Sequence, residues 1–227
     1  MQKQSLFRTL LAEFIGSTFL MIVAISPVIL FTSVLGSHPG LAVLANAIAV
    51  AFVLCTLIEL FAPISGAHFN PVVTMVMAFE RKLSPQKALL FILLQIIGGI
   101  VGLILIHLMF FDEIGGVFFL SDIQRSGGAY LAELLGTFIL IFAILMLARA
   151  KSNRASMMVA LLVGGQILAT SSTMFANPQI TLARMFTNSI AGIRPLDGMV
   201  FIAMQIAGAL LAYGVYRILF AGTQNNV

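Results

Sequence analysis

Apolar residues run along this chain in six long blocks, at approximately 6–34, 41–62, 85–110, 128–148, 155–171 and 195–220. A helix needs about 20 predominantly apolar residues to cross a bilayer, so each block predicts a spanning helix. Ser84-Pro85 and Arg194-Pro195 are helix starts in which proline takes the first position, where its missing N–H costs nothing. Pro27 falls late in the first block and predicts a kink there. The basic Met1 to Arg8 stretch ahead of an apolar run has the outline of a signal peptide. The run is too long for a signal core, contains Glu13 and shows no convincing cleavage site, so it is read as the first spanning helix.

Two shorter stretches break this pattern. They are Ser65-Gly66-Ala67-His68-Phe69-Asn70-Pro71-Val72-Val73-Thr74 and Ser172-Thr173-Met174-Phe175-Ala176-Asn177-Pro178-Gln179-Ile180-Thr181. Each sets an Asn-Pro pair at the head of a helix-compatible run far too short to span a membrane. Asparagine is a favoured N-cap and proline a favoured first helical residue, so half-helices are predicted from Asn70 and Asn177. Their positive dipole ends then lie at membrane depth, which is tolerated only beside a polar cavity or buried protein. With each side-chain carbonyl capping its own helix, the amide hydrogens of both asparagines are expected to face a shared lumen. Capping and lumen lining are compatible roles.

The chain repeats itself. Leu11-Ala12-Glu13-Phe14-Ile15-Gly16-Ser17 returns as Leu131-Ala132-Glu133-Leu134-Leu135-Gly136-Thr137, Asn70-Pro71 as Asn177-Pro178, and Gln95-Ile96-Ile97-Gly98 as Gln205-Ile206-Ala207-Gly208. Each half, at approximately 6–110 and 128–220, holds three spans. An odd number of spans inserts the second half upside down relative to the first. The fold class expected is all-α integral membrane, with six transmembrane helices and two re-entrant half-helices in an inverted repeat, as one domain over residues 1–227.

Composition agrees: 60% of residues are hydrophobic and 9% charged, with a mean hydropathy of +1.10, beyond what a soluble domain carries. The net charge of +4 comes from Lys and Arg at block ends, with no basic stripe, so no nucleic-acid partner is expected. With the N-terminus inside, Lys3, Arg8, Arg81, Lys82, Lys87, Arg149, Lys151, Arg154 and Arg217 are cytoplasmic and Arg125, Arg184 and Arg194 external. That positive-inside bias predicts a multi-pass protein of the plasma or inner membrane with both termini cytoplasmic.

The chemistry-bearing residues are few. Cys55 is the only cysteine and is read as an apolar packing residue. His38, His68 and His107 lack metal-ligand spacing, so no metal and no cofactor is expected. His68, just before Asn70, is equally compatible with shaping its loop and with lining a pore. Glu13 and Glu133 hold equivalent repeat positions within helices. Intramembrane carboxylates mark function as a rule, but pseudo-symmetric placement favours a scaffold. Glu59 is read as a structural acceptor or an interfacial residue. Gly16, Gly98, Gly136 and Gly208 are assigned to close helix approach, which offsets the roughly 1 kcal/mol that glycine costs in a helix. No nucleophile and base, metal site or phosphate loop argues for an enzyme.

These motifs together resemble the aquaporin, or major intrinsic protein, family over nearly the whole chain. The resemblance implies six tilted helices plus two half-helices, assembled as a homotetramer in membrane lipid with one pore per subunit. It implies that Glu13 and Glu133 accept hydrogen bonds from the re-entrant loops. It places the pore midplane at Asn70, Pro71, Val72, Asn177, Pro178 and Gln179, where Val72 and Gln179 replace the family's alanine. It places the selectivity filter at Val50, Met174, Ile180 and either Gly165 or Gln166. Most members carry arginine where this chain has Ile180. Arg184, one turn farther along the same half-helix, is the residue expected to replace that missing cation guard in part; capping loop carbonyls or facing the protein surface is the competing role. An apolar filter predicts a passive channel of the aquaglyceroporin kind, for water and small uncharged solutes such as glycerol, urea or neutral metalloid hydroxides like arsenite. An ion-coupled transporter or ion channel on the same scaffold is the alternative.

Overall fold

The computed structural model describes residues 5–221. Lys3, one of the residues in the charge count, and the polar tail at 223–227 lie outside the described residues. The described chain is helical, in the order α1 (Leu6–Ile29), α2 (Pro39–Phe61), α3 (Pro71–Phe79), α4 (Pro85–Met109), α5 (Phe111–Ile114), α6 (Gly127–Arg149), α7 (Ala155–Ala169), α8 (Pro178–Arg184) and α9 (Pro195–Leu219). Helix starts follow local capping chemistry. The hydroxyls of Ser5 and Ser84 accept from the N–H groups of Arg8 and Lys87, and the His38 ring accepts from Gly40 N–H. Pro39, Pro71, Pro85, Pro178 and Pro195 stand in the first turns of their helices. Pro27 lies inside α1, which passes into a π-helical turn at Leu30–Val34.

Five helices, α1 with its π turn, α2, α4, α6 and α9, are long and apolar enough to cross a membrane. The fifth apolar block makes a helix shorter than its sequence suggests. It stops at Ala169, a length of 15 residues, or about 22 Å at 1.5 Å per residue. Thr170 ends it: its backbone is extended, its hydroxyl donates back to Gln166 O at 2.7 Å, and the same oxygen accepts from Met174 N–H at 3.0 Å. The chain thereby turns early into the second re-entrant loop.

The two halves pair by the same rule. α1 packs along α4 and α6 along α9; α1 and α6 touch α2 and α7; α2 and α7 meet each other across the centre. Half-helix α3 lies between α4 and α9, and α8 between α9 and α4, so each is held by one helix of its own half and one of the other. Glycines set the close crossings. A Cβ on Gly98 would stand 2.6 Å from Phe14 O, and one on Gly208 would collide with Leu134 O, the matching carbonyl of the other half. Phe7, Phe52 and Ile218 are exposed on the outer faces, as lipid contact requires and water does not favour.

Candidate functional site

Each re-entrant loop is held in a backbone conformation that L residues resist. Gly66, Ala67 and Phe69 have φ of 97°, 52° and 46°, and Thr173, Met174 and Ala176 have φ of 58°, 40° and 45°. Left-handed backbone costs roughly 1–2 kcal/mol per non-glycine residue, so something must hold the loops. Glu13 does so in the first half: Oε1 accepts from Ser65 Oγ at 2.6 Å and His68 N–H at 3.0 Å, and Oε2 from Phe69 N–H at 2.8 Å and Gln95 Nε2 at 2.7 Å. Glu133 does so in the second, accepting from Phe175 N–H at 2.9 Å, Ala176 N–H at 2.8 Å and Gln205 Nε2 at 2.6 Å. Both carboxylates are fully buried. Gln95 and Gln205 also donate to Thr74 and Thr181, at 2.9 and 2.8 Å. Hydrogen bonds to a charged group contribute about 1.5–3 kcal/mol each, enough to offset the loop strain.

At the loop tips the two halves meet. Asn70 Oδ1 accepts from Val72 N–H and Asn177 Oδ1 from Gln179 N–H, both at 3.1 Å, so each caps its half-helix. The amide nitrogens differ from the sequence expectation. Asn70 Nδ2 donates to Ala176 O and Asn177 Nδ2 to Phe69 O, each at 2.8 Å. One amide hydrogen of each asparagine therefore ties the opposite loop, because the left-handed residues at Phe69 and Ala176 aim their carbonyls across the pseudo-twofold. One hydrogen of each is left for the lumen.

Both asparagines line a cavity of about 460 Å³. It runs from Lys82, Lys87, Ala148 and Ala155 at one end, past Asn70 and Asn177, to Ala24, Asn46 and Arg184 at the other. Its wall is mostly aliphatic, and Val50, Met174 and Ile180 lie on it. Four midplane residues do not. Pro71, Val72, Pro178 and Gln179 are absent from the lining; Pro71, Val72 and Gln179 are buried behind it and Pro178 is half-buried; Gln179 fills the space over Gly99 of α4 with its amide. Position two in each half-helix points away from the axis because Asn and residue three past it occupy the inward face.

α7 also corrects the sequence reading. Neither Gly165 nor Gln166 reaches the cavity; Gly165 is exposed with no neighbour within 4 Å of a Cβ, and Gln166 is half-buried. Val159, Val163 and Ile167 line it instead. Their spacing of four puts them on one helix face, while Gly164 beside them lets α7 approach Ala47 and Ala51 of α2.

Arg184 is buried, at 5% exposure, and still belongs to the cavity wall. Nη2 donates to Ala24 O at 2.6 Å, and the guanidinium lies 4.1 Å over the Phe175 ring. No carboxylate pairs with it among the described residues. Arg125 approaches the same ring at 5.8 Å and donates to Gly192 O; burial lowers its pKa from the ordinary value, with Glu133 and Asp197 opposing. His68 combines both roles left open by the sequence: its ring lines the cavity and meets Thr74 Oγ1 at 3.0 Å. Glu59 accepts from Ser156 Oγ at 2.7 Å on the exposed surface. His107 bridges Val117 O and Thr187 Oγ1.

Sequence reasoning missed Asn46, Phe175 and the Thr74 and Thr181 pair. The threonines carried a signal, standing four residues after each asparagine in both copies. Asn46 carried another, as the one amide side chain in the apolar run of α2.

Comparison with known proteins identifies the scaffold. The family model described as major intrinsic protein matches residues 1–176, ending just before Asn177. The chain belongs to the major intrinsic protein family. It is a passive membrane channel for water and small solutes. Aquaglyceroporin AqpS of Rhizobium meliloti (strain 1021) is 33% identical over 217 residues, covering 96% of this chain and 92% of that protein. Aquaporin PIP2-3 of Zea mays is 33% identical over 154 residues, 63% of this chain and 53% of that one; the chain spans about half the length of this plant relative. The X-ray structure of the aquaglyceroporin from Plasmodium falciparum superposes with a TM-score of 0.74 at 21% identity, covering 96% of this chain and 98% of that one, and shares its fold.

Proposed function

We propose that this channel conducts small uncharged solutes with an apolar side, such as glycerol, urea and neutral metalloid hydroxides like arsenite, together with water. The observation that carries the reading is the make-up of the cavity: two asparagine amides amid aliphatic walls of Val50, Val163, Ile167, Met174 and Ile180, with the Arg184 guanidinium on the wall at the end opposite Lys82 and Lys87. A solute that sheds part of its hydration needs a few fixed donors and otherwise weak contacts. One hydrogen from each asparagine and the side of the Arg184 guanidinium away from Nη2 supply them, since among the described residues Arg184 donates through Nη2 alone. Ile180 in place of the family's usual arginine leaves that stretch apolar and suited to carbon-bearing solutes. The half-helix N-termini of α3 and α8, each equivalent to about half a positive charge, oppose cations at the waist.

Arg184 serves as the cation guard in this reading, and Gly165 and Gln166 have no part in the filter. Family membership supports a homotetramer. The distribution of Lys and Arg supports a cell-membrane location with both termini cytoplasmic. Stopped-flow light scattering on proteoliposomes, with water, glycerol, urea and arsenite compared, tests the solute class. Glycerol and urea permeabilities well above those of empty vesicles are expected. Fast water flux with exclusion of every other solute overturns the proposal, and flux that follows membrane potential or a proton gradient favours the ion-coupled alternative.

A further inference from the structure

Arg184 is seated against the backbone of α1. Pro27 has no N–H, so the carbonyl four residues earlier, Val23 O, has no helical donor. α1 therefore turns a bare carbonyl oxygen toward α2 at Val23, next to the Ala24 carbonyl that Arg184 of α8 reaches. Asn46 of α2, buried at 5% exposure and lining the cavity, meets it. With its amide oriented so that both polar atoms are satisfied, the nitrogen donates to Val23 O at 3.1 Å and Ala24 O at 3.2 Å. Arg184 Nη2 donates to the same Ala24 oxygen at 2.6 Å. One oxygen thus holds the amide and the guanidinium side by side. Phe175 closes the seat from the far side.

We infer that Pro27 and Asn46 are positioning residues for channel selectivity: Pro27 leaves Val23 O free for Asn46, Asn46 clamps that oxygen together with Ala24 O, and Ala24 O fixes the Arg184 guanidinium on the cavity wall, which sets the discrimination between cationic and neutral solutes. A guanidinium at the end of a long flexible side chain, with no carboxylate partner, has no other hydrogen-bonded anchor among the described residues. Asn46 keeps Val23 O occupied and the α1 to α2 spacing constant, so that Ala24 O stays at the height of Arg184. Loss of either residue frees the arginine to swing along the lumen or out of it, and its field no longer sits where a solute must pass.

The inference rests on the cavity being the solute path. Urea and guanidinium, planar and nearly equal in size but differing in charge, report on it directly. Proteoliposomes carrying wild type, R184Q, N46V, P27A and the double variants N46V/R184Q and P27A/R184Q are compared for the ratio of guanidinium to urea permeability. A unit charge a few ångströms from the path, at the dielectric of a protein surface, is worth about tenfold or more in that ratio. R184Q is expected to raise it by about that factor, and N46V and P27A by several-fold each. In the R184Q background neither is expected to add anything, because both act through Arg184. Urea flux reports folding in every variant, and N46S stands in where N46V does not fold. Single variants with the wild-type ratio, or effects that multiply with R184Q, overturn the assignment. Wild-type vesicles that pass neither urea nor glycerol overturn the path reading itself, a different outcome from urea flux with an unmoved ratio.

Discussion

Glu133→Gln tests whether the buried carboxylates are loop anchors. The replacement is nearly isosteric, so packing against α6 is preserved and the change is confined to hydrogen bonding. The carboxylate accepts three bonds, from Phe175 N–H, Ala176 N–H and Gln205 Nε2. A glutamine does least harm by putting its NH₂ where Oε1 was, facing Phe175 N–H, which keeps the two bonds at the other oxygen but makes them neutral. One charge-assisted bond is lost, and two buried donors are left facing each other; the sum is about 3–5 kcal/mol. For a chain of this size that corresponds to a fall in Tm of roughly 6–20 °C, read by thermal unfolding in detergent. A second readout follows from the geometry. With Met174 and Ala176 no longer held at φ of 40° and 45°, Ala176 O leaves Asn70 Nδ2, and flux falls as the cross-tie between the halves loosens. A Tm within about 2 °C of wild type, with unchanged flux, refutes the anchor role.

On α7, Val163→Trp should abolish glycerol flux by filling the cavity, while Gly165→Trp should leave it near wild type, because position 165 faces away from the lumen. Equal loss in both variants sinks the assignment of the lining face. For helix packing, Gly208→Ala forces a methyl into Leu134 O, a backbone atom that cannot swing aside; the overpacking should cost about 1–3 kcal/mol and lower Tm. Gly165→Ala, with nothing within 4 Å, should raise stability by roughly 0.5–1 kcal/mol through helix propensity.

The sequence by itself determined the scaffold of this protein. Apolar blocks long enough to span, Asn-Pro pairs that can only begin helices, and motifs recurring in one order specify an inverted repeat with two half-helices. All of these are local or periodic signals, because backbone groups in lipid must be satisfied within their own segment. The family departures at Val72, Gln179 and Ile180 were legible for the same reason, being residues at counted positions.

The tertiary structure decided which atoms face the lumen. Counting along α7 cannot give its rotation about its own axis, which depends on Gly164 nesting against Ala47 and Ala51 of α2, so Gly165 and Gln166 yielded to Val163 and Ile167. The length of α7 was set by a hydroxyl at Thr170 that bonds both backward and forward. That each asparagine gives one hydrogen to the opposite loop depends on left-handed residues more than 100 positions away. Arg184 is held through the Ala24 carbonyl, 160 residues distant from it and shared with Asn46 of α2. Such contacts join helices through side-chain reach and backbone direction, neither of which is periodic in the chain, and they exist only once both halves have come together.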